Sequence, residues 1–127
     1  MMKETVDAWL NSYVSAWKSY DPQAIGRLFS EAAIYRYSPF DEPLQGRDAI
    51  VASWLENPDP PGTYDAHYET ALIAGDRAVT NGRSLYFAED GSIRDEWNNV
   101  FLLRFDTEGR CIEYTEWYMR RPAPAGK

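Results

Sequence analysis

The segment Asn57-Pro58-Asp59-Pro60-Pro61-Gly62 divides the chain into two parts with different hydrophobic periods. Its prolines remove backbone donors and its glycine favours a turn, so neither a helix nor a central strand runs through it. Before this stop the apolar residues recur at helical spacing, apart from one alternating stretch over 33–38. After it they alternate, and no helical pattern returns. Helices first and strands afterwards predict an α+β fold, not the alternating units of a parallel α/β sheet.

Val6, Trp9, Leu10, Tyr13, Val14 and Trp17 form one buried stripe of a first helix, with Asp7, Asn11, Ser15 and Lys18 on the wet side. Asp21-Pro22 reads as an N-cap with proline at the first helical position, opening a short second helix that turns Ile25, Leu28 and Phe29 inward. Residues 33–38 alternate as a strand, and a third helix over 47–56 presents Ile50, Trp54 and Leu55. Four strands then follow in hairpin order, over 64–74, 77–88, 93–105 and 111–119. A strand of a dozen residues spans about 40 Å, so such strands in a chain of 127 residues must coil. The expectation is a cone-shaped, curved antiparallel or mixed sheet covered by three N-terminal helices. Residues 1–121 are expected to form one domain, and 122–127 a loose tail.

Coiling makes one sheet face concave, and three helices cover such a hollow without filling it. With aromatic residues at 15%, including five Trp and nine Tyr, the expected result is an aromatic-lined pocket whose rings keep polar tips. Val100-Phe101-Leu102-Leu103 is apolar on both strand faces, so the convex side is expected to be covered as well, most simply by a homodimer. The net charge of −7 disfavours nucleic acid and anionic membranes as partners. Cys111 and His67 are each alone, which leaves no internal disulfide and no zinc-type cluster. No run resembles a signal peptide or a transmembrane span, and the reading is a cytoplasmic protein without metal or cofactor.

Three stretches carry a resemblance to a known family. They are the first helix with the Asp21-Pro22 to Phe29 segment, Leu44-Gln45-Gly46-Arg47-Asp48-Ala49-Ile50, and residues 99–105 through Glu113-Tyr114-Thr115-Glu116-Trp117-Tyr118. Together they resemble the nuclear transport factor 2-like superfamily with its cystatin-like roll, and within it the SnoaL-like proteins. The resemblance implies a cone-shaped pocket between the first helix and the sheet, often in a dimer. Isomerases, cyclases, dehydratases, epoxide hydrolases and non-catalytic binding proteins all use this fold, so the fold alone does not assign an activity.

Strand alternation taken with that resemblance points Val79, Asn81, Arg83 and Leu85 inward on one strand. On the next it points Asp95, Trp97, Asn99, Phe101 and Leu103 inward, and on the last Ile112, Tyr114, Glu116 and Tyr118. Tyr13, Trp17, Tyr35, Tyr37 and Trp54 are expected to close the opposite wall. Glu116, flanked on its face by Tyr114 and Tyr118, is the candidate general acid or base, because desolvation raises a carboxyl's proton affinity. Arg83 opposes that direction, and a buried Arg83–Glu116 ion pair holding two strands together is the competing structural role. Asn99 is placed to orient a carbonyl or a water beside Glu116. Tyr13 stands where ketosteroid isomerases of this superfamily carry an oxyanion-stabilising tyrosine.

Departures from the better-known activities are equally specific. Tyr37-Ser38 and Phe101 occupy the places of the two isomerase aspartates, Leu85 breaks the Arg-x-Asp pattern of the epoxide hydrolases, and His67 has no second histidine for a scytalone-type dehydratase. A SnoaL-type cyclase using acid–base chemistry on a small hydrophobic or cyclic molecule remains. So do a binding protein without turnover and a dimerisation module whose cone is packed shut.

Overall fold

The computed structural model describes residues 1–122, so the expected tail lies, apart from Pro122, outside the described residues. The elements run α1 (Lys3–Ser19), α2 (Pro22–Gly26), β1 (Phe29–Arg36), β2 (Leu44–Gln45), α3 (Arg47–Glu56), β3 (Tyr64–Ala74), β4 (Arg77–Phe87), β5 (Ile93–Phe105) and β6 (Cys111–Arg120). All strands join one sheet in the order β2-β1-β6-β5-β4-β3. Among the described strands only β1 and β6 pair in parallel, which makes the sheet mixed.

α1 buries Val6, Trp9, Leu10, Tyr13 and Ala16, the stripe that its spacing dictates. Asp7 on its flank is not simply wet: its carboxylate accepts the N–H and the hydroxyl of Thr70 on β3, at 2.9 and 2.6 Å. Asp21 caps α2 through the Gln23 N–H, with Pro22 beginning the helix as expected. The helix is shorter than its apolar residues suggest. Phe29 opens β1 instead, because the Leu28 carbonyl accepts the Cys111 N–H at 2.9 Å and β6 thereby draws the chain into the sheet. Leu44 and Gln45, in the loop that leads to the third helix, form a short strand paired with β1. Gly46, at φ 95°, turns β2 directly into α3, a conformation that L side chains rarely adopt.

The curvature of the sheet can be read from one ring. Tyr13 on α1 lies 6.0 Å from Tyr68 on β3, 5.4 Å from Phe101 on β5 and 6.0 Å from Tyr114 on β6. β3 and β6 are three strand spacings apart, about 14 Å in a flat sheet, so the sheet curls around the helix. Trp9 seals the narrow end. Its indole donates to the Leu28 carbonyl at 2.9 Å, and it packs edge-on against Phe29 and Phe105.

One expected face is inverted. On β4 the buried positions are Ala78, Thr80 and Ser84, while Asn81 and Arg83 are exposed. In register, Thr80 faces Phe101 and Gly82 faces Asn99, so the small even-numbered residues are the concave ones. The reason is room. Tyr13, Tyr68 and Phe101 fill the space over β4, and a Cβ at Gly82 would stand 2.6 Å from the Tyr68 Cα and Cδ1. Val79 and Leu85, whose apolarity suggested the core, belong to the convex side. Ile112 is displaced as well, because Phe105 pairs with Cys111 while Arg104 pairs with Glu113. That bulge makes Cys111 the buried residue.

Candidate active site

Between α1, α3 and the concave sheet face lies a cavity of about 440 Å³. α1 supplies Tyr13 and Trp17, one helical turn apart, and β1 with its extension supplies Tyr35 and Tyr37. α3 contributes Ser53, Trp54 and Glu56, and the sheet contributes Tyr68, Ser84, Tyr86, Asn99 and Glu116. A smaller hollow of about 250 Å³, lined by Trp97 and Tyr118, also borders Glu116 and Asn99.

A hydrogen-bond chain runs through the centre of this wall. The Ser84 hydroxyl donates to Asn99 Oδ1 at 2.9 Å, and Asn99 Nδ2 donates to Glu116 Oε2 at 2.6 Å. On the other side the Tyr114 hydroxyl donates to Glu116 Oε1 at 2.9 Å. Its single proton is thus committed, so in the 3.2 Å contact between the two phenols Tyr13 is the donor and Tyr114 the acceptor. Each carboxyl oxygen of Glu116 is held by one donor, which fixes its orientation and leaves a lone pair on each.

Burial pushes the Glu116 carboxyl above its ordinary value, and the hydrogen bonds from Asn99 and Tyr114 offset this only in part. Part of the residue's surface is open because it faces the cavity, yet the carboxyl stands among rings and not in bulk water. Burial also pushes the phenols of Tyr13, Tyr35 and Tyr114 well up, so all three stay neutral and act as donors or packing surfaces. Tyr35 stacks flat on Tyr114, with centroids 4.1 Å apart, and braces the phenol that holds Glu116.

The mouth has its own construction. Asp59 Oδ2 accepts from Trp17 Nε1 at 3.1 Å and from the Tyr20 hydroxyl at 3.2 Å, while the Asp59 N–H donates back to that hydroxyl at 2.9 Å. Tyr20 ends α1 at φ 51°, a left-handed conformation unusual for a bulky side chain. The strain is offset by these bonds, which tie the loop before β3 to the end of α1. Tyr37 bonds Ser53 at 2.8 Å across the same opening.

Of the residues singled out in the sequence, Glu116, Asn99, Tyr13, Trp17, Tyr35, Tyr37 and Trp54 converge on the cavity. Trp97 and Tyr118 border the adjoining hollow. Phe101 and Tyr114 are fully buried behind the wall. Arg83 and Asn81 are not at the site. Arg83 pairs with Glu96 at 3.1 Å on the convex face, and Asn81 bonds Asn98, so no Arg83–Glu116 ion pair forms. Ser84, Tyr68, Tyr86, Tyr20, Asp59 and Glu56 were not foreseen. For Ser84 a signal exists, in the alternation of small residues at 78, 80, 82 and 84.

Among the described residues no group of three or more His, Cys, Asp or Glu side chains is arranged to hold a metal ion. Nor is any described helix long and apolar enough to cross a membrane.

Comparison with known proteins bears on the fold. Among solved structures, an NTF-2 like protein of unknown function from Burkholderia xenovorans LB400 superposes with a TM-score of 0.71 at 18% identity, covering 97% of this chain and 89% of that one. A candidate ketosteroid isomerase from Kribbella flavida DSM 17836 gives a TM-score of 0.70 at 16% identity, covering 98% and 85%. At such identity these likenesses establish the shared α+β fold and nothing further. No curated protein matches the chain. A family model for the SnoaL-like domain matches residues 10–114, from α1 to the tyrosine beside Glu116, and the chain therefore belongs to the SnoaL-like family within the nuclear transport factor 2-like fold.

Proposed function

We propose that this chain encloses a small hydrophobic, cyclic molecule in the α1–sheet cavity and that Glu116 exchanges a proton with it, as a cofactor-independent isomerase, lyase or cyclase does. The observation that carries this reading is a desolvated carboxyl on the cavity wall, oriented from both sides by Asn99 and Tyr114 and free of any basic partner among the described residues. A carboxyl so placed has a proton affinity raised towards the range useful for acid–base work. Arg83, engaged on the convex face, takes no part. Ketosteroid isomerisation by the superfamily's usual aspartates is disfavoured by Tyr37 and Phe101 at their places.

A test needs no knowledge of the natural substrate. In D2O, wild-type protein is expected to accelerate exchange of the α-protons of 1-tetralone, followed by proton NMR. Glu116→Gln is expected to lower that acceleration by about 10²-fold or more, the usual contribution of a general acid or base. Equal exchange by the two proteins would reduce the site to ligand binding without turnover.

The functional unit in this reading is a cytoplasmic homodimer joined through the convex face, with residues 1–121 as its single domain. On that face Leu72, Val79 and Leu102 lie in one row and Val100 and Trp117 in the next. Leu72, Trp117 and Met119 are exposed by 63, 45 and 73%. Such a contiguous apolar patch is unusual on a monomer. Wild type is therefore expected to sediment at twice 14.6 kDa, and the Trp117→Asp/Met119→Lys double variant at 14.6 kDa. A monomeric wild type would refute the dimer.

A further inference from the structure

The cavity wall carries one sign of charge. Glu56, Asp59 and Glu116 line it, and no Lys, Arg or His among the described residues does. Arg94, whose guanidinium carbon lies 5.8 Å from the Tyr86 ring centroid, is paired with Asp95 and is not part of the lining. The remaining wall is dominated by eight aromatic rings, six of them tyrosine. The faces of such rings are electron-rich and attract cations.

We propose that the ligand of this cavity is an organic cation: a cyclic or aromatic molecule with a protonated or quaternary nitrogen held against Glu116 and among the surrounding rings. The inference rests on the small-molecule reading above and narrows its substrate class. Each Glu116 oxygen accepts only one hydrogen bond, so a lone pair on each remains for an N–H donor or a nearby fixed charge. Glu56 and Asp59, on the α3 side, extend the same attraction towards the opening. A carboxylate or phosphate ligand would meet three acidic side chains and no guanidinium, so the wall rejects anions as well as selecting cations.

The experiment titrates benzylammonium, benzyltrimethylammonium, benzyl alcohol and benzoate into the full chain, following tryptophan quenching and ligand-observed NMR. Both cations are expected to bind at least about tenfold more tightly than benzyl alcohol, a difference within reach of carboxylate and cation–π contacts, and benzoate is expected not to bind. Glu116→Gln and Glu56→Gln should each weaken the cations and leave benzyl alcohol unchanged. Equal binding of benzyl alcohol and benzylammonium, or a cation preference untouched by both substitutions, would overturn the proposal while the pocket itself stands. Failure of all four probes would overturn it as well, and the 1-tetralone exchange would then decide whether the pocket reading falls with it.

Discussion

Gly82→Ala is expected to destabilise the protein by about 3 kcal/mol or more, at the upper end of what an overpacked interior costs. Residue 82 sits between Tyr68 on β3 and Asn99 on β5. A Cβ there would press on the Tyr68 Cα and on the His67 carbonyl oxygen. Rotating the Tyr68 ring relieves neither contact, because both are backbone, so β3 has to move away from β4. The gain of up to about 1 kcal/mol from removing a strand glycine is smaller. Tyr68 also lines the cavity, so ligand affinity should fall with stability. Urea unfolding followed by tryptophan fluorescence measures the effect, and a variant within about 0.5 kcal/mol of wild type would refute the packing argument.

Glu116→Gln is expected to trade activity for stability. Loss of turnover by about 10²- to 10⁴-fold follows if the carboxyl transfers the proton. The stability change has a definite sign. A carboxyl whose folded pKa lies above its unfolded value favours the fold fully below the ordinary 4.5, and that contribution is lost as pH rises through the folded value. At neutral pH the ionised, desolvated Glu116 is then a liability that glutamine removes. The network accommodates the change. If the Asn99 amide turns over, its oxygen accepts from the new Gln N–H, and its amide donates to the Ser84 oxygen. Glu116→Gln should therefore unfold at a higher temperature than wild type at pH 7, with the advantage shrinking to nothing below about pH 4. Asp7 titrates in the opposite sense. Bonded to Lys3 and Thr70, it is lowered from 3.8 to about 2, so its contribution is present above the ordinary value and is lost as pH falls through about 2. Asp7 is common to both proteins and cancels from their difference.

The parts of this architecture that the sequence made legible are those where one physical signal acts alone. The α1 stripe has a single wet side, so Tyr13 and Trp17 fall on the correct face. On β5 and β6 the large residues Phe101, Leu103 and Tyr114 are also the concave ones, which places Asn99 and Glu116 correctly by alternation. β4 defeats the same reasoning because both of its faces are apolar to some degree. Its concave face bears Ala78, Thr80, Gly82 and Ser84, kept small by rings that arrive from α1 and β3. Hydrophobicity therefore pointed to Val79 and Leu85, and carried Asn81 and Arg83 with them. The mouth was hidden for a different reason. Tyr20 and Asp59 meet across 39 residues, through a left-handed helix end and a proline-rich loop, and neither has a periodic signature.

Glu116 stands at the wall of the cavity as a desolvated carboxyl, free of any basic partner among the described residues. Carbon-13 NMR of protein labelled at the glutamate side-chain carboxyl, with the Glu116 signal assigned by its loss in Glu116→Gln, reads the titration of this one group directly. The expected midpoint lies above the ordinary 4.5 and moves down when benzylammonium is added. A midpoint at or below 4.5 in the free protein would contradict it.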